Sequence, residues 1–139
     1  MKRITIITML MVLMLPVSAQ HKFDPAKFRA ELHQFIITEA NLTQEEADKF
    51  FPVFDEMKMK QRKIHRSPKD FFHQKPISDA ACKSAIVQRD NAEIQLKNIE
   101  KTYHERFMKI LSPSKVFDIL YAEAKFHRQF FKKAARKTE

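Results

Sequence analysis

Apolar residues recur at helical spacing along most of the chain, in four separate runs. In the first, Phe28, Leu32, Phe35 and Ile36 share one face of a helix that should fade near Ala40. Asp24-Pro25 opens it, with aspartate capping free amides and proline fitting the first turn. Asn41 then suits a left-handed helix end. The second run is Ala47, Phe50, Phe51, Phe54, Met57 and Ile64, behind the stretch Leu42-Thr43-Gln44-Glu45-Glu46. Thr43 and Glu46 have the spacing of a capping box, in which hydroxyl and carboxylate each satisfy an amide of the other residue. Glu45 and Glu46 also put negative charge on the positive end of the helix dipole. Pro52 removes one backbone hydrogen bond inside this run. The apolar phase passes through it unchanged, so the segment reads as one kinked helix ending near Arg66; the alternative is a break at Phe51.

Residues 67–77 read as a loop bracketed by Pro68 and Pro76, with Phe71 and Phe72 inside it. Those two rings either fold back on a helix end or stand out as an exposed patch. Ser78 caps a third helix from Asp79 to about Leu111, with a sparse stripe: Ala81, Cys82, Ala85, Ile86, Ala92, Leu96, Ile99, Tyr103, Phe107 and Ile110. So narrow a stripe packs on one neighbour and leaves the rest of the helix wet. Leu111-Ser112-Pro113-Ser114-Lys115 starts a fourth helix, running to about Arg136, whose stripe is read as Val116, Phe117, Leu120, Ala124, His127 and Phe131.

Composition narrows this picture. The 139 residues include no glycine. Average usage would supply about ten, so phosphate-cradling loops, dinucleotide fingerprints and nucleophile elbows are excluded. The fold class is all-α. Met1–Ala19 has the form of a cleavable export signal: Lys2 and Arg3, an apolar run from Ile4 to Leu15, then the small-residue site Val17-Ser18-Ala19. Residues 20–139 would form one helical domain, and losing Lys2 and Arg3 lowers the net charge from +9 to +7. Cys82 is the sole cysteine, so no intrachain disulfide can form, and a small apolar role on a helix is the simpler reading.

No catalytic constellation is present, so an enzyme is not expected, and no cofactor is implied. Glu100 with His104 and Glu123 with His127 are i,i+4 pairs, but Glu-His pairs are frequent on charged helices, and no metal site is expected. The positive charge has three readings: nucleic acid, which an exported protein rarely meets and which is not expected here; peripheral contact with an anionic membrane surface; and acidic or unfolded proteins. Lys125–Lys137, KFHRQFFKKAARK, mixes aromatics and cations as interfacial helices do, though its spacing also fits an ordinary core stripe. Candidate contacts for unfolded clients are Met57, Met59, Phe71, Phe72, Phe126 and Phe130, each of which could equally belong to the core.

Helix starts of the leucine-hydroxyl type, spaced through a small, charged, exported helical chain, resemble the Spy/CpxP family, whose mark is the LTxxQ motif. Leu42-Thr43-Gln44-Glu45-Glu46 keeps the leucine and threonine, with Glu46 where glutamine stands in the family; Leu111-Ser112 keeps the leucine and a hydroxyl. The phrase LTQEEADKFFPVFDEM looks more like the divergent Bacteroidetes-type members than the enterobacterial ones. The resemblance implies structural roles for Leu42, Thr43, Glu46, Leu111 and Ser112. It implies an elongated antiparallel helical hairpin of three to four helices that forms a cradle-shaped homodimer. It also implies a periplasmic location and ATP-independent binding of unfolded or aggregation-prone proteins. Related members instead act as envelope-stress or metal-responsive regulators, an alternative in which one specific partner or metal ion is bound.

Overall fold

The computed structural model describes residues 23–65 and 77–136; the export signal and the loop carrying Phe71 and Phe72 lie outside them. The protein is all-α. The helices are α1 (Pro25–Glu39), α2 (Gln44–His65), α3 (Asp79–Ile110) and α4 (Pro113–Arg136). Their starts follow the cap chemistry of the sequence. Asp24 accepts from the amides of Ala26 (2.9 Å) and Lys27 (3.3 Å), and Ser78 accepts from Ala81 (3.2 Å). At α2 the capping box closes in both directions: Glu46 takes the Thr43 amide at 2.9 Å, and Thr43 takes the Glu46 amide at 3.2 Å. Asn41 has a φ of 49°, which lets α1 end and α2 begin within four residues. Pro52 sits inside α2, which continues through it as one helix.

Two helix pairs carry the packing: α2 lies on α3 and α1 on α4, with a lighter contact between α3 and α4. One core joins all four. It contains Leu32 and Ile36 from α1, Phe50, Phe54 and Met57 from α2, Tyr103 and Phe107 from α3, and Val116, Ile119, Ala122 and Phe126 from α4. Aromatic rings supply much of it. Phe50 and Phe107 centroids are 4.8 Å apart, and Phe28 meets Phe126 and Phe130 edge-on at 5.4 and 4.8 Å. Tilted and edge-on pairs suit the ring quadrupole and add to the burial itself. Among the described residues, no helix is long and apolar enough to cross a membrane.

The stripe of α4 differs from its expected phase. Val116, Ile119, Ala122 and Phe126 are buried, whereas Phe117, Ala124 and Phe131 face solvent. Two apolar series run along this helix, and the inner one follows the residues that meet α1 and α3.

Candidate interaction surface

The two interhelix corners, Ala40–Thr43 and Leu111-Ser112, come together, and Lys115 joins them. Its ammonium donates to the carbonyls of Ala40 (3.3 Å) and Asn41 and lies 3.2 Å from Glu46. These carbonyls lie just past α1, where no following helical turn supplies an amide for them, so a cation from α4 satisfies them and meets the negative dipole end. Glu46 thereby serves two contacts, and its carboxyl is held below the usual range by the Thr43 amide first and Lys115 second. Ser112 Oγ accepts from the Lys115 amide at 3.3 Å. Leu42 and Leu111 are buried beneath this junction. Thr43, Glu46, Lys49, Ile110, Ser112 and Lys115 line an open, mostly polar cleft of about 440 Å³. The groups there are engaged with one another, so the corner is a joint between helix pairs.

A second cluster clasps α2 to α3. Tyr103 donates to Glu56 at 2.6 Å, while Arg106 (3.1 Å) and Lys60 (3.2 Å) reach the same carboxylate. The Tyr103 hydrogen bond, then Arg106 and Lys60, hold the Glu56 carboxyl down from 4.5 to about 2. Arg106 also lies over the Tyr103 ring, 4.6 Å from its centroid, a cation–π contact. On α1, His33 stacks on Phe51 at 4.0 Å and hydrogen-bonds Asp55 at 2.9 Å.

The ligand candidates fall into structural pairs. Glu123 forms an ion pair with Lys58 and lies 3.5 Å from His127. Glu100 accepts from Gln61 (3.3 Å) and Lys97 (2.8 Å). Among the described residues no group of three or more His, Cys, Asp or Glu side chains is arranged to hold a metal ion.

The expected client contacts separate. Met59 is exposed. Met57 is only 1% exposed, because it follows Phe50 and Phe54 on the inner ridge of α2. Phe126 is buried against Phe28 and Phe35, which removes it from the exposed set. Phe130 is half-buried beside Phe28, and Phe71 and Phe72 lie outside the described residues.

The exposed apolar surface lies largely elsewhere. On α4, Phe117, Tyr121 and Phe131 stand out on the side opposite the core. On α3, Ile86, Val87 and Ile94 are exposed, and Met108 is exposed near its end. The spacing 117, 121, 124, 131 is as regular as that of the buried series, so an outer row was detectable in the sequence. What it lacked was a sign of which series faces the core.

Comparison of the chain with protein-family models, with characterised proteins and with solved structures finds no match.

Proposed function

We propose that this protein is an ATP-independent chaperone of the cell envelope that binds unfolded, aggregation-prone proteins and acts as a homodimer. The observation that carries the reading is the exposure of large apolar side chains on α2 and α3 around a closed core, in a chain of strongly positive charge. Flexible apolar side chains at a surface can re-pack against partners of varied sequence. Met59 and Met108 are the most adaptable of them, since methionine has three rotatable bonds and a polarisable sulfur. Positive charge draws acidic chains from a distance and speeds encounter, with a strength that falls as salt rises. The LTxxQ-like stretch from Leu42 and the residues at the corner add the support of resemblance to the Spy/CpxP family. The function is binding rather than catalysis, and the export-like Met1–Ala19 favours a periplasmic site.

An aggregation assay tests this. Gln20–Glu139, which contains every core residue, is added without ATP to two unrelated, chemically unfolded proteins. Suppressed light scattering is expected for both, weaker at high salt, and weaker again with Met59→Ser and Met108→Ser combined. Both methionines are exposed, so the fold should survive the change. Failure to protect either protein refutes the chaperone reading.

A further inference from the structure

α4 carries a feature that client binding does not need. Phe117, Tyr121 and Phe131 are 69%, 58% and 66% exposed and occupy one side of the helix, together with Ala124 and Arg128. The row runs from Phe117 to Phe131, fourteen steps and about 21 Å at 1.5 Å per residue. It lies opposite the buried series Val116, Ile119, Ala122 and Phe126, so among the described residues no helix packs on this face. Along one edge, Lys125, Arg128, Lys132 and Arg136 follow at spacings of three and four residues, one ridge of the helix. From Ala124 to Arg136 there are five cations and no carboxylate. Lys125 pairs with Glu39 at 2.6 Å; Arg128, Lys132, Lys133 and Arg136 meet no carboxylate among the described residues.

From this arrangement we infer that the outer face of α4 is a docking plane for an anionic lipid surface. The aromatic rings settle at headgroup depth, and the cation ridge contacts the negative headgroups. Each half has a physical basis. Rings flanked by lysine and arginine favour the boundary between headgroup and acyl chain, and each cation near an anionic leaflet adds attraction. A second copy of the chain fits this face poorly. Two such faces in parallel would oppose cation ridges, and antiparallel pairing offers only Asp118 as counter-charge. An extended peptide would be better served by a groove, whereas a convex row of rings fits a plane. The inference does not depend on the chaperone reading.

Sedimentation with vesicles tests it. Gln20–Glu139 is mixed with vesicles of phosphatidylglycerol and phosphatidylcholine, and separately with phosphatidylcholine alone. Binding is expected to the anionic vesicles and to fall at high salt. Arg128→Gln with Lys132→Gln should weaken it about tenfold or more. Phe117→Ser with Phe131→Ser should weaken it by roughly tenfold through lost apolar contact. All four side chains are exposed, so each variant should stay helical, which circular dichroism would check. Arg62→Gln with Lys63→Gln, an equal charge loss on the exposed side of α2, serves as the control and should have far less effect. Absence of vesicle binding, equal binding to neutral vesicles, or equal weakening by the α2 control overturns the inference. Sedimentation with an acidic unfolded protein but not with vesicles also overturns it and leaves the face to clients.

Discussion

Glu56 shows how a single carboxylate is bound into this fold. The Tyr103 hydroxyl, Arg106 and Lys60 converge on it and lower its carboxyl from 4.5 to about 2. A carboxyl that is more acidic in the folded than in the unfolded chain stabilises the fold fully above the unfolded value. That contribution is lost as the pH falls from 4.5 towards 2. Glu56→Gln is therefore expected to melt below the wild type near neutral pH and to converge on it as the pH approaches 2. Thermal melts across that range would check this; coincident curves would show that the clasp does not contribute, and a constant offset that its charge does not. Other residues were legible in advance. Thr43, Glu46, Asn41 and Ser78 carry cap chemistry that acts over three or four residues, and each is found in its expected role. Met57 stood on the apolar run of α2 and Met59 off it, yet both were equally candidates for client contact. Two residues apart on a helix, they lie on different sides, and the distinction depends on where α3 packs. The clasp was equally hidden, because Glu56 and Tyr103 are forty-seven positions apart in the chain.

At the scale of the helix, starts and stops are local and faces are not. The capping box is a local device, and Thr43→Ala should cost about 1 kcal/mol in chemical denaturation. α4 is the instructive case for faces. Its sequence carries two apolar rows on opposite sides, one of Val116, Ile119, Ala122 and Phe126 and the other of Phe117, Tyr121, Ala124 and Phe131, and helical spacing alone marks both. Tertiary packing makes the choice. Phe28 and Phe35 of α1 receive Phe126, and Ile119 is wholly buried in the shared core. Ile119→Ala is expected to destabilise the protein by about 2–5 kcal/mol through lost burial and a residual cavity. Phe117→Ala, two residues earlier on the exposed series, should change stability by less than about 0.5 kcal/mol. Urea titration of both variants distinguishes the two phases; a large loss at Phe117 with a small one at Ile119 would reverse the assignment of the core face.

For the whole molecule the lengths of α2 and α3 matter most. α3 has 32 residues and α2 has 22. Phe50 meets Phe107, Glu56 meets Tyr103 and Gln61 meets Glu100, so the two run antiparallel in a steady register. On that register the last turn of α2 comes opposite about residue 95 of α3, at equal rise per residue. The part of α3 before that point contributes no buried side chain, yet it shows Ile86, Val87 and Ile94 to solvent and half-covers Cys82, Ala85 and Ala92. Its charges are also unlike those of the rest of the chain. Asp79, Asp90 and Glu93 stand against Lys83 and Arg89, so two such segments can approach without the repulsion expected elsewhere on a basic surface. A two-fold pairing of this segment with itself would give the proposed homodimer a surface that is exposed among the described residues. Light scattering on Gln20–Glu139 is expected to give twice the chain mass. Ile86→Glu with Ile94→Glu should return it to one chain, because an isologous contact places each introduced charge in the interface twice. Both positions are exposed within a single chain, so helicity should be unchanged in the variant. A single-chain mass for the wild type would exclude the dimer and leave this segment, with Met59 and Met108, as surface open to clients.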